Sequence, residues 1–228
     1  MNYKRNTKYF TSPWMGKAAT LCWVLTAIGV VVVFLRISWV TYSLGGTVAI
    51  GSVVAGIILN SISIGDKEYD EICMGLKKKF REKFTEYVYA KLNAANGRGK
   101  APIAVDEDKV ALAHAFYYGF AILSRVGQDG RRRSARLLLG ACYLDKTAVY
   151  IATETHGITE ELREDSFGTY PYAEIASIDV TESEIPYAEY VQYTIRLKHK
   201  PDPVTLFLSS DAETEKIMNT VKSKITAD

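Results

Sequence analysis

The hydrophobic pattern divides the chain into stretches of three different periods. Residues 18 to 35, AATLCWVLTAIGVVVVFL, and residues 37 to 65, ISWVTYSLGGTVAIGSVVAGIILNSISIG, are nearly continuous apolar runs separated by one charge, Arg36. As a single helix they would extend roughly 70 Å, more than twice the ~30 Å hydrocarbon layer of a bilayer. The stretch must therefore fold back. Ser43, Leu44, Gly45 and Gly46 are its small, turn-forming residues, and they place a tight turn between spans at about 18–42 and 46–64. From Asp66 the period becomes helical, with Ile72, Leu76, Phe80, Phe84, Val88 and Leu92 recurring every four residues. Asn96 to Pro102 is a cluster of breakers, which sets a linker at about 95–105. A second helix is expected from Asp106, carrying VALAHAFYYGFAILSRV and ending at Gly127 and Gly130. Its uncharged core, 110 to 124, is too short to span a membrane, and His114 within it reads as a packing histidine.

Beyond residue 137 the period changes. LLLGACYL (137–144) and TAVYIATE (147–154) flank Asp145 and Lys146 as a hairpin, and IASIDVTE (175–182) is a third strand. VQYTIRLKH (191–199) alternates Val191, Tyr193, Ile195 and Leu197 with polar residues, and VTLFLS (204–209) returns beside it. The chain closes with Ser210 and Glu213 in capping-box spacing, then Ile217, Met218, Val221 and Ile225 along one helical face. The expected fold class is a membrane α-helical hairpin joined to an α+β part. Its divisions are a tail (1–17), the hairpin (18–64), a helical region (65–130) and a β-rich domain (131–228).

Charge fixes the orientation. The 28 Lys and Arg nearly balance 26 Asp and Glu, which argues against a polybasic nucleic-acid coat or an acidic tail. Lys4, Arg5, Lys8 and Lys17 precede the first span, and Lys77, Lys78, Lys79, Arg81 and Lys83 follow the second. Cations near a span stay on the cytoplasmic side, so both termini are expected in the cytoplasm and the protein in the plasma (inner) membrane as a multi-pass species. A cleaved signal peptide is the competing reading of the N-terminus, but it would have a shorter apolar core and would not lead to a second span. The cluster at 77–83 has two readings, a topological flank or an attachment to anionic lipid heads. Arg36 reads as an anchor reaching the outer interface.

Three cysteines, Cys22, Cys73 and Cys142, form neither a disulfide framework nor a thiolate metal site, and no metal or cofactor is expected. Gly45, Ala49, Ser52, Gly56, Asn60 and Ser63 fall on one face of the second span, opposite Ile50, Val53, Val54, Ile57 and Ile58. Small residues let helices approach closely in lipid, so this face predicts packing within the hairpin or between copies; lining a pore is the alternative. Arg131, Arg132, Arg133 and Arg136 are the candidate anion site, because guanidinium forks fit phosphate oxygens, although such a run also reads as a solvated linker. The sequence contains no nucleophile elbow, HExxH, phosphate loop or dinucleotide turn. No catalytic residues are expected.

CYLDKTAVYIATE, FGTYPYAEIASIDVTE and YTIRLKHKPDPVTLFLSSDAETEKIMNTVKSKI resemble bacterial pleckstrin-homology-like domains and their GRAM-type relatives over residues 137 to 226. Tyr170 to Ile178 is the segment most similar to the family pattern. The resemblance implies a bent antiparallel β-barrel plugged by its last helix, often fused to membrane spans, and not catalysis. Lipid-binding members collect cations at the first hairpin loop, where this chain has Lys146 beside Asp145. The expected function is a non-enzymatic membrane sensor or scaffold. It would self-associate through the hairpin as a homo-oligomer, with the lipid bilayer, a protein, or a phosphate-bearing ligand (nucleotide, oligonucleotide or lipid head group) as partners. The alternative is an oligomeric ion channel or membrane-disrupting effector gated by a nucleotide, a layout similar to two-span effectors of bacterial anti-phage and nucleotide-signalling systems.

Overall fold

A computed structural model describes the chain except residues 13, 36, 37, 97–99, 107, 108, 117–121, 183–189, 210, 211 and 226–228. The contacts resolve into two units. The first comprises Met1–Ile72, Leu123–Ala135 and Ile158–Glu160, and the second comprises Cys73–Ile122, Arg136–Gly157 and Glu161–Asp228.

The first unit opens with α1 (Tyr3–Thr11), where sequence reading placed only a tail. Asn2 caps it by accepting a hydrogen bond from the Arg5 backbone N–H at 3.2 Å. Then come α2 (Trp14–Leu35) and α3 (Trp39–Ile62), of 22 and 24 residues, both long and apolar enough to cross a membrane. α3 begins at Trp39, so the turn expected at Ser43–Gly46 is corrected: those residues are helical. Ser38 starts α3 through a reciprocal cap. Its Oγ accepts from the Thr41 N–H at 3.2 Å, while its own N–H donates to Thr41 Oγ1 at 2.9 Å. Gly45 and Gly46 therefore sit inside a helix, and Gly45 is used for close packing instead of turning. Arg36 lies outside the described residues. The unit is completed by the start of α4 (Asp66–Asn96) and an antiparallel ribbon of β2 (Ser124–Val126) and β3 (Arg132–Ser134). Gly130 turns the ribbon with φ +77, a conformation that glycine adopts without strain.

The second unit holds two antiparallel sheets. One has the order β1 (Val110–Phe116), β4 (Arg136–Leu144), β5 (Ala148–Gly157), β6 (Arg163–Pro171). The other is β7 (Ile175–Glu182), β8 (Tyr190–Leu197), β9 (Val204–Ser209). A final helix, α5 (Ala212–Ile225), follows. The helix expected from Asp106 is corrected: residues 110–116 form β1, paired with β4 from Val110↔Tyr143 to Phe116↔Leu137. Ala111, Ala113 and Ala115 are buried on alternate positions. Ladder pairing with β4 overrides the helix preference of alanine. The charged segment around Glu164 and Asp165 is β6, which among the described residues pairs with β5 and forms the edge of the sheet.

Residues Leu137 to Leu144 of β4 are all buried, because the four-stranded sheet is covered on both faces. On one face Cys142, Leu144, Val149 and Ile151 pack with Ile195, Leu206 and Leu208 of the second sheet and with Ile217, Met218 and Val221 of α5. On the other, Tyr87 of α4 sets its ring against Tyr150 and Phe167, and its hydroxyl lies 3.0 Å from Thr169 Oγ1. The Tyr170–Ile178 segment forms a corner: Tyr172 is buried and donates to the Asp145 carbonyl at 3.0 Å, where Lys224 of α5 also donates at 2.8 Å. Ser210 lies outside the described residues, so its capping role does too.

Candidate functional site

The hairpin is sorted by size. α2 and α3 meet through small residues: a Cβ built on Gly29 would stand 2.7 Å from the Gly45 carbonyl oxygen and 2.8 Å from the Ala49 nitrogen. Thr26 Oγ1 and Ser52 Oγ lie 2.9 Å apart in the same seam, and Gly56 packs under Trp23 and Cys22. Leu21, Val24, Ile28, Val31 and Phe34 of α2 point outward, as do Ile50, Val54, Ile57 and Ile58 of α3; all are exposed. This arrangement reverses that of a water-soluble helix pair, which hides its bulky residues between the helices.

Of the six residues assigned to the small face, Gly45, Ser52 and Gly56 are buried against α2, and Ala49 is half-buried beside them. Asn60 is exposed, and its carbonyl accepts from Arg5 at 2.8 Å. Ser63 is buried at the end of α3. A pore lined by this stripe needs Ser52 and Gly56 to face water, whereas within one chain they face α2.

A polar and aromatic network lies where α1, α4 and the β2–β3 ribbon meet in the first unit. Tyr9 and Tyr69 stack with ring centroids 5.3 Å apart, and Phe10 sets its edge against both. The Tyr69 hydroxyl donates to the Ser134 carbonyl at 2.6 Å. The Arg133 side chain is only 2 % exposed. It donates from Nε and Nη2 to Asp70 at 2.9 and 2.7 Å, and from Nη1 and Nη2 to Asp129 at 2.8 Å each. Asp66 accepts from the Tyr9 hydroxyl and the Gln128 N–H, both at 2.7 Å. Arg125 lies 4.5 Å from the Tyr9 ring centroid and donates to the Tyr9 carbonyl at 2.8 Å. Arg5 grips the Glu68 carboxylate with both terminal nitrogens, at 2.6 and 2.9 Å. The Arg133 guanidinium holds the Asp129 carboxyl well below the usual carboxylate range. Burial and the Asp66 acceptor push the Tyr9 phenol above its ordinary value, so it remains a neutral donor.

The arginine run is thus divided. Arg133 is corrected from anion site to internal ion pair, because two carboxylates already occupy its fork and burial closes it to outside anions. Arg131 and Arg132 are exposed in the first unit. Arg136 belongs to the second unit, at the start of β4 and half-buried. Strand alternation was the available signal, since Arg132 and Arg133 must point to opposite faces. Asp70 and Asp129, the partners that explain Arg133, are far from each other in sequence and were not singled out.

The basic cluster of α4 lies in the second unit. Lys83 pairs with Asp165 and stands 4.7 Å from the Phe167 ring centroid, Lys77 reaches His114 Nδ1 at 3.3 Å, and Lys78 pairs with Glu82 at 4.0 Å. Lys79 and Arg81 are exposed. His114 is exposed on β1 and not enclosed by apolar residues. Nearby, buried Glu154 accepts from Arg163 Nε at 2.6 Å and lies 3.4 Å from His156 Nε2. Desolvation holds His156 below its ordinary value. Burial pushes the Cys142 thiol up to about 12, which keeps it protonated and unreactive. Among the described residues no cluster of His, Cys, Asp or Glu could hold a metal ion. No protein-family model, curated protein or solved structure matches the chain.

Proposed function

We propose that this chain is a non-enzymatic integral membrane protein. The α2–α3 hairpin crosses the bilayer, and the sheet domain is a pleckstrin-homology-like binding module held at the cytoplasmic surface as a sensor or scaffold. The observation that carries this reading is the inverted hairpin, with small residues in its seam and a continuous bulky apolar exterior. Soluble proteins rarely expose contiguous apolar patches beyond a few hundred Å². At about 1.5 Å per residue, the 22 residues of α2 reach about 33 Å, which matches a hydrocarbon layer of about 30 Å. The module reading is supported by strand order: a four-stranded meander interrupted by the β2–β3 ribbon, a three-stranded meander, and a helix packed on both. Lys4, Lys8 and Lys17 at the α2 end of the hairpin favour the cytoplasmic side. Sodium carbonate at high pH should leave the expressed chain in the membrane pellet, with detergent releasing it. Recovery in the carbonate supernatant would contradict a spanning hairpin.

A further inference from the structure

The β2–β3 ribbon lies at the level where α2 would leave the bilayer. Arg125 Nη2 and Gln128 Nε2 each come within 3.7 Å of the Cβ position of Gly16, in the first turn of α2. Arg125 is fixed there by the Tyr9 carbonyl and ring, and the Gln128 backbone by Asp66. Arg133 ties the base of the ribbon to Asp70 of α4. The ribbon is therefore not a free loop: four separate contacts hold its turn beside Gly16. Because α2 matches the hydrocarbon thickness over its whole length, Trp14 and Gly16 fall at head-group depth, and the turn falls with them.

The side chains exposed at that level have the composition of a lipid interface. Trp14 is exposed at the start of α2 and Lys17 one turn on; Val126 and Leu123 are exposed on and beside β2; Arg131 and Arg132 are exposed on the other arm of the ribbon. Asp129 is the acid in the turn; it is committed to Arg133 and lies 4.0 Å from Arg131 Nε. Aromatic and aliphatic groups suit the boundary with the acyl chains, and guanidinium forks suit lipid phosphate oxygens. Resting on the membrane reading above, we propose that the β2–β3 ribbon is a second, interfacial membrane contact. Val126 dips to the head-group boundary, and Arg131 and Arg132, together with Lys17, select anionic phospholipid head groups.

The full chain is reconstituted in vesicles of phosphatidylcholine with or without phosphatidylglycerol, after carbonate extraction has established that it is in the membrane. An environment-sensitive fluorophore on Val126→Cys should be blue-shifted and quenched by lipids carrying a quencher near the head group. Phosphatidylglycerol retained over phosphatidylcholine after detergent purification should fall about fivefold for each cation removed in Arg131→Ala and Arg132→Ala, the effect of about 1 kcal/mol per cation. It should also fall as salt rises. Inorganic phosphate at the same anion concentration should not displace the lipid. A water-exposed, unquenched probe in protein that resists carbonate overturns the inference and leaves the spanning hairpin intact. So does lipid retention unchanged in the double variant. Displacement by inorganic phosphate would make the arginines a soluble-anion site and equally overturn it.

Discussion

Arg133→Ala should lower the melting temperature of the detergent-solubilised protein by about 5–10 °C, the equivalent of about 3 kcal/mol in a chain of this size. The Arg133 side chain is 2 % exposed and carries four hydrogen bonds to two carboxylates. Truncating it leaves Asp70 and Asp129 without the cation that compensates them. Both acids keep about two-fifths of their side-chain exposure, so water can partly rehydrate them, which sets the loss at the low end for broken buried pairs. Arg133→Lys should recover part of the loss, because one ammonium keeps the charge but cannot fork to both carboxylates. The network also predicts a direction with pH. Asp129 has its folded value below the ordinary range because of Arg133. Its contribution is therefore complete above about pH 4 and declines as pH falls below that, where the unfolded chain takes up the proton first. Arg133→Ala should flatten this acid limb. A variant that melts as the parent does, with the same acid limb, would mean that the pair contributes nothing to stability.

Gly140→Val should cost about 3 kcal/mol or more and leave little folded sheet domain. Gly140 lies in β4, and a Cβ there would collide with the Phe207 carbonyl oxygen of β9 and stand 3.2 Å from Leu206 Cδ1. The obstacle is backbone, so no rotamer change relieves it. β9 would have to move away from β4 and take Leu206 and Leu208, both 0 % exposed, out of the core. Gly75→Ala is the matched control. Gly75 is an exposed position inside α4 with nothing within 4 Å of its Cβ site, so alanine should stabilise by up to about 1 kcal/mol. Circular dichroism and limited proteolysis would report both. If Gly140→Val melts at the parental temperature, the two sheets do not pack as described.

Much of this architecture was legible in the sequence because it rests on period. The 18–65 run gives two apolar helices, the β4–β5 hairpin shows two β-rich runs around a short polar turn, β8 shows alternation, and α5 shows its apolar stripe. Most of the errors share a physical cause: residues whose local preference was overruled by a tertiary partner. Gly45 and Gly46 resemble a turn, yet the local turn signal was the Ser38/Thr41 cap, and Gly45 is small because Gly29 crosses it. Ala111, Ala113 and Ala115 favour a helix in isolation and became a strand through β4. β6 carries acids at an exposed edge, so no apolar alternation announces it; its ladder with β5 holds it. α1 is short and mostly polar; Tyr9 and Phe10, set against Tyr69, and Asn6, buried and donating to the Ile158 carbonyl at 2.7 Å, reveal why it is ordered. Arg133 looked like part of a solvated run, but Asp129 in the adjoining turn and Asp70 of α4 together occupy its fork.

Thiol mapping in intact membranes tests the spanning hairpin most directly. Cys22 is half-buried within α2, and Cys73 and Cys142 are buried, so the native thiols give a low background. Val31→Cys and Val54→Cys place thiols on the outward faces of α2 and α3, and Lys200→Cys places one on the exposed turn between β8 and β9. A membrane-impermeant maleimide should leave Cys at 31 and 54 unlabelled in whole cells and in opened membranes alike, and should reach position 200 only after the cells are opened. Rapid labelling of positions 31 and 54 in opened membranes, at the rate seen for position 200, would show that the hairpin lies in water and not in lipid.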